Sequence, residues 1–502
     1  MKTPCPLLMA ACVAGLFYPV AHAAMPTTRI KHILVISVDG MHASDMDHYI
    51  QQHPRSPLAT LSATGVEYTN AHAAVPADSF PGLLGIMTGG TPAATGVYFD
   101  VSYDRQLAAS EADCKAGRFG TRVAFDEAAD GPADAAGQRQ LDPARLPYRA
   151  GSCTPVYPHE YLRSNTAFEV IQAAGGHTAW IDKHPVYEIL NGPSGHGIDD
   201  LYTPEIGGDY EGEKVKPADH ITGSISRTEN YDAMKAHALL NQIDGWTHDR
   251  THHAAVPTLF GLNLQAVNVA QKLAGYADAN GTPTAALAEA MGHCDALLGE
   301  MLRELRARHL LDSTLIVVTA KHGNAPIDRT LLRYVDNKIL RRTIEAAAPQ
   351  GLAQLTTDHG ALVWLRRADD APRVEAELRR ARQQLGIQQV LQGPALLRFL
   401  SVATADSRTP DLLLIPERGV IYGNAGNAKL AEHGGFDDDD THVALLLSNP
   451  HLQHQGKQLS MQVSTTQLAA SMLSALGLPP DQLRAVKQQS TKTLPGISWH
   501  SL

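Results

Sequence analysis

Basic residues are in short supply. Lys and Arg number 42 against 52 Asp and Glu, a formal net charge of −10, so the chain lacks the basic face that nonspecific nucleic-acid binding requires. Duplex binding is therefore not expected, whereas a nucleotide-sized substrate remains open, because a metal ion can supply positive charge locally. Long apolar runs are also missing beyond the first two dozen residues, so the mature chain has no segment of the roughly 20 apolar residues that a bilayer span needs. No internal repeat is apparent, which removes repeat arrays from consideration. Disorder is excluded by ordinary globular values, 44% hydrophobic and 19% charged residues.

The first residues have the pattern of an export signal. Lys2 precedes an apolar stretch from Leu7 to Val20, then Ala21-His22-Ala23 offers a small-x-small cleavage site. A signal peptide over 1–23 implies an exported protein, periplasmic or secreted. Of the five cysteines, Cys114, Cys153 and Cys294 then remain. Oxidising surroundings favour a Cys114–Cys153 bond across a Gly/Ala/Asp-rich stretch, and Cys294 sits in a helical pattern as a buried thiol.

Two distant segments share one design: Ile33-Leu34-Val35-Ile36-Ser37-Val38-Asp39-Gly40 and Thr314-Leu315-Ile316-Val317-Val318-Thr319-Ala320-Lys321-His322-Gly323. Each is an apolar, β-branched run that stops at charged or metal-capable residues and a glycine. A buried parallel strand delivers a polar group to the carboxyl edge of an α/β sheet in this way. Further strand-like runs at 178–181, 258–264, 412–415 and 443–447 alternate with helical patterns at 163–174, 229–243, 284–309 and 464–476. The expected fold is α/β, a mostly parallel sheet with helices on both faces. Residues 104–160 read as a surface excursion within a first core part, 24–329. Residues 330–408 read as a small α+β cap insertion, and 409–502 as the closing part of the core.

Asp39 ends the first strand, where a carboxylate suits a divalent cation or simply caps a turn. Ser79 stands at a helix start set by Pro81. It serves there as a plain N-cap or as a nucleophile beside free N–H groups. His322 and His433 lie at glycine-flanked turns; with Asp39 they make a donor set suited to Zn²⁺ or a similar ion.

The ordered set Val38-Asp39-Gly40, Ser79-Phe80-Pro81 with Thr88-Gly89, His322-Gly323 and His433-Gly434 resembles the alkaline phosphatase superfamily, nearest its type I phosphodiesterase and nucleotide pyrophosphatase branch. The tail from Thr465 to Leu478 resembles that branch's closing helix. The resemblance implies a small-molecule phosphoester substrate and two metal ions about 4 Å apart that clamp the attacking and leaving oxygens. It also implies a covalent intermediate on Ser79, with Asp39, Ser79 and His322 on one ion and His433 on the other.

Two departures stand out. Lys321 occupies a position where the family has aspartate. Asn263 and Val267 replace an Asp-x-x-x-His pair in the middle strand. Three accounts follow: one ion with Lys321 as a fixed charge on the phosphate or leaving oxygen; substitute ligands from Asp182-Lys183-His184, Asp358-His359 or Asp437 to Asp440 and His442; or a binding protein without turnover. The run 437–440 also reads as a solvated loop. Asp100 falls where relatives bind phosphate, Tyr98 nearby could stack on a base, and Asn263 joins them as a substrate-binding candidate. The same fold also admits phosphomonoesters, sulfates and phosphonates as substrates.

Overall fold

The computed structural model describes residues 25, 29–133, 138–207, 209–210, 213–214, 216, 219–424, 429–452 and 455–497. The expected signal peptide, 1–23, lies outside them. Largely apolar strands must be covered on both sides, and the chain places six strands of the central sheet first: β1 (His32–Val38), β2 (Gly65–Tyr68), β3 (Ala179–Ile181), β4 (Asp200–Tyr202), β5 (Leu259–Leu264) and β6 (Thr314–Thr319). Next come β7 (Leu352–Thr357), β8 (Ala361–Leu365), β9 (Ile387–Gln392) and β10 (Leu412–Pro416), which form a separate four-stranded sheet. The chain then returns through β11 (Leu445–Ser448) and β12 (Lys457–Leu459) to the central sheet.

The central sheet has eight strands in the order β12-β2-β11-β6-β1-β5-β3-β4. From β6 to β4 every pairing is parallel, and β11 runs antiparallel to both of its neighbours. Side chains alternate across the sheet with a period of two. Ile33 and Val35 enter one apolar cluster with the helices Ser79–Thr88 and Gln467–Ala475. Leu34, Ile36 and Val38 enter the opposite cluster with the helices Ile225–Ile243 and Ala285–Ala307. The architecture is the expected α/β sheet with helices on both faces.

The register brings the strand ends level. Ser37 pairs with both Asn263 and Thr319, and Leu262 with Ile181. Residues just beyond these four strands therefore converge on one edge. The Ser79 helix closes on that edge because Gly82 lacks a Cβ: one built there would lie 2.1 Å from the Lys321 carbonyl oxygen.

The cap differs from expectation at its far end. The run 412–415 falls in the expected closing core part that begins at 409, yet β10 pairs with β8 and β9 in the cap sheet. Val420–Gly423 also pairs with Arg333–Asp336, so the inserted pairing extends to 423. An apolar strand carries no mark of which sheet it joins, and this one is as buried as those of the core. The excursion at 104–160 is pinned by short pairings and by a Cys114–Cys153 disulfide with Cα atoms 5.6 Å apart. Cys294 is buried and free. Among the described residues, no helix is long and apolar enough to cross a membrane.

Candidate active site

Asp39 follows β1 and is fully buried. Asn263, near the end of β5, donates from Nδ2 to Asp39 Oδ1 at 2.8 Å. Gln265 donates from Nε2 to Asp39 Oδ2 at 2.6 Å. Lys183, two residues beyond β3, donates to the same Oδ2 at 3.3 Å. Burial alone would raise the Asp39 carboxyl, but the charges of Lys321, Lys183 and His322 and the Gln265 hydrogen bond outweigh it and hold the carboxyl far below the usual range. Asp39 is an anion encased in donors.

Ser79 is the first residue of its helix. The N-cap role falls to Asp78, whose side chain accepts from Phe80 N, which leaves the Ser79 hydroxyl free for other contacts. Ser79 Oγ lies 3.2 Å from His322 Nε2 and accepts from Lys183 Nζ at 3.2 Å. His322 Nδ1 lies 2.9 Å from the Gly323 carbonyl. That carbonyl can only accept, so the Nδ1 proton faces it and the Nε2 lone pair faces Ser79. Burial first, then the neighbouring His433 and Lys183 charges, pushes His322 well below its ordinary value despite Asp39. The imidazole is neutral, with its basic nitrogen on the serine.

His433 joins this group. Its ring stacks on His322 with centroids 4.0 Å apart, and its Nε2 lies 3.6 Å from Asp78 Oδ1. Its Nδ1 faces Lys272 Nζ at 3.2 Å. A cavity of about 240 Å³ opens beside it, lined in part by Lys183, His184, Gln265, Asn268, Lys272 and His433. Asp39, Ser79, His322 and His433 are thus brought together.

Three expectations shift. One account sets Lys321 on the phosphate or leaving oxygen, but its ammonium donates to both Asp182 oxygens at 3.1 and 3.0 Å and to Tyr187 OH at 3.2 Å. It is His322's neighbour, and successive extended residues point in opposite directions; the cation beside the serine is Lys183 instead. Tyr98, a candidate for stacking on a base, is buried in the apolar cluster with Leu362, Trp364 and Leu413 beneath the cap, because its segment runs under that sheet. Asn263 holds Asp39. Asp100 is crowded: burial first, then the charges of Asp78, Asp358 and Asp126, raises its carboxyl well above the usual range.

Lys183, Gln265 and Lys272 were not assigned from the sequence as site residues. Lys183 carried a usable signal, an apolar run ending two residues earlier, the same design as at Asp39 and Lys321.

The alternative donors have other partners. Asp182 holds Lys321, His184 pairs with Glu205 at 2.8 Å, and His359 pairs with Asp440 at 2.6 Å. Asp440 is buried, so the acidic run is no fully solvated loop. Among the described residues, Glu127–His184–Glu205 and His359–Asp437–Asp440 are groups whose ligand atoms lie close enough to hold a metal ion. The surroundings of Asp39 do not suit one. Zn²⁺ needs lone pairs at about 2 Å, whereas both Asp39 oxygens face N–H donors and one of these is an ammonium.

A largely parallel sheet with a helix-borne serine, a histidine and a buried aspartate at its carboxyl edge defines an alkaline phosphatase-like fold. Solved structures share it. The alkaline phosphatase PafA aligns with TM-score 0.63 and 14% identity over 90% of this chain and 96% of its own. Human ectonucleotide pyrophosphatase/phosphodiesterase 5 aligns at 0.55 and 13%, over 89% and 95%. An inactive variant of the murine protein in complex with AMP aligns at 0.58 and 12%, over 90% and 96%. No curated protein sequence matches. The family model for type I phosphodiesterase/nucleotide pyrophosphatase matches residues 33–438. The chain belongs to that family and is a phosphoric ester hydrolase.

Proposed function

We propose that the chain is an exported hydrolase that cleaves phosphodiester or pyrophosphate bonds of nucleotide-like substrates through Ser79. The observation that carries this reading is the Ser79 Oγ contact with the unprotonated Nε2 of His322 at 3.2 Å. Ser79 Oγ gives its proton to His322 as it bonds to phosphorus, and the leaving oxygen departs with the proton that the imidazolium returns. Water then gives a proton to His322 and attacks phosphorus, and the freed Ser79 oxygen takes that proton back. The helix N-terminus and the Lys183 ammonium favour the negative charge of the phosphoryl group. The cavity beside His433 has room for the group and its near substituent. AMP in the murine relative supports a nucleotide-like substrate, and the disulfide supports export to an oxidising compartment.

The test is turnover of bis-p-nitrophenyl phosphate together with mass spectrometry of acid-quenched protein. Wild type should turn over and carry a phosphoryl adduct on the Ser79 peptide, and Ser79→Ala should lose both. Full activity in Ser79→Ala would end the assignment.

A further inference from the structure

The ammonium of Lys183 sits where a metal bridging Asp39 and Ser79 would have to lie. It has three protons and faces three acceptors, Asp39 Oδ2 at 3.3 Å, Ser79 Oγ at 3.2 Å and Gln265 Oε1 at 3.4 Å. An ion bound to Asp39 and Ser79 would contact the same two oxygens from the same space. Two like charges cannot share that space. The remaining donors to Asp39, from Asn263 and Gln265, are neutral amides held by hydrogen bonds of 2.8 and 2.6 Å.

The lysine is also fixed from behind. Its backbone N–H donates to Asp182 Oδ1 at 2.9 Å, and Asp182 is held in turn by the Lys321 ammonium. Lys321 is thus a positioning residue two steps from the serine. The two lysines, Lys321 buried and Lys183 partly exposed, form one device: Lys321 anchors the turn after β3, and that turn aims Lys183 at the nucleophile.

We infer that Lys183 replaces a divalent ion at this centre and that phosphoryl transfer on Ser79 proceeds without one. This rests on the reading of Ser79 as nucleophile. The lysine's hydrogen bond to Ser79 Oγ passes to a non-bridging phosphoryl oxygen as the Oγ–P bond forms, so the positive charge stays at the reacting centre throughout.

The experiment pairs two readouts on the full mature protein. The first is zinc titration by calorimetry, with metal analysis, on wild type and Asp39→Asn. Equal stoichiometry in both supports the inference, including when zinc binds at the two donor groups elsewhere. Zinc bound in wild type and lost in Asp39→Asn overturns it, whatever the activity. The second is bis-p-nitrophenyl phosphate turnover after exhaustive chelation. Unchanged turnover, with a loss of about 10²–10³-fold in Lys183→Met and partial recovery in Lys183→Arg, supports the lysine; turnover abolished by chelator and restored by Zn²⁺ overturns it. Lys183→Met is compared with wild type by thermal unfolding, and Lys183→Arg keeps the test valid if the methionine variant misfolds. No turnover in any form would remove the Ser79 reading while the zinc titration still decides the metal question.

Discussion

The central sheet and the cap sheet are built from the same apolar, β-branched material, yet they end differently. In the cap, β8 alternates cleanly: Ala361, Val363 and Leu365 face one apolar cluster, and Leu362 and Trp364 face another. No charge is buried along that strand. At the carboxyl edge of the central sheet, Asp39, Asp182, Lys321 and His322 are all buried within a few residues of the strand ends. Burying a charge is expensive even when it is paired, and a well-packed apolar core serves stability as well or better. The cap shows what this chain makes when only packing matters. On the proposed function the charged edge serves chemistry, and the two regions should respond oppositely to mutation.

The largest effect tests the edge. Ser79→Ala should lower kcat by about 10⁴-fold, equivalent to about 5 kcal/mol of barrier, and leave the thermal unfolding midpoint nearly unchanged. Steady-state kinetics beside a melting curve decides it, and a large stability loss with retained rate would reverse the comparison. Next is Trp364→Ala in the cap, which should destabilise by about 3–5 kcal/mol as an aromatic cavity opens. Denaturant titration measures that loss, and the specific rate of the folded fraction should stay near wild type. Paired Cys114→Ser and Cys153→Ser substitutions should cost about 2–4 kcal/mol by freeing a long loop, again with little change in rate. Matching reductant sensitivity in wild type would sharpen that result.

Much of the edge was legible because β1 and β6 announce themselves: each apolar run stops at a polar residue that the fold then delivers to the site. The same logic fell short where it depended on direction or on sheet membership. Lys321 and His322 are adjacent, so only one can face Ser79, and the sequence does not say which neighbouring strand supplies the cation. Lys183 does so from β3, through a register that only tertiary pairing sets. Tyr98 failed for a related reason: an aromatic next to a site motif looks the same whether it faces substrate or the underside of a cap. The Leu412–Pro416 strand was placed in the core because burial alone does not distinguish two sheets. The Cys114–Cys153 pair was readable since it needed only compartment and loop composition.

The smallest effect is a pH dependence that separates the two regions. His42 lies three residues beyond Asp39. Its Nδ1 is 2.9 Å from Asp45 Oδ2 and its Nε2 is 2.7 Å from the Asp439 carbonyl, so the imidazolium form ties the acidic segment to the core. Burial would lower its pKa, but the Asp45 charge and hydrogen bond and the Asp439 carbonyl outweigh it and raise it. A histidine whose folded value exceeds its unfolded value of about 6.5 adds stability that is complete below that pH. The contribution fades as pH rises through the folded value. Unfolding free energy should therefore fall on the alkaline side as the imidazolium loses its proton. His42→Gln should flatten that slope. Amide hydrogen exchange locates the loss: backbone groups at Gly323 and 439–442 should open at high pH while β8 in the cap stays protected. Equal loss of protection in both places would show that the buried charges at the edge and the apolar cap unfold as one unit.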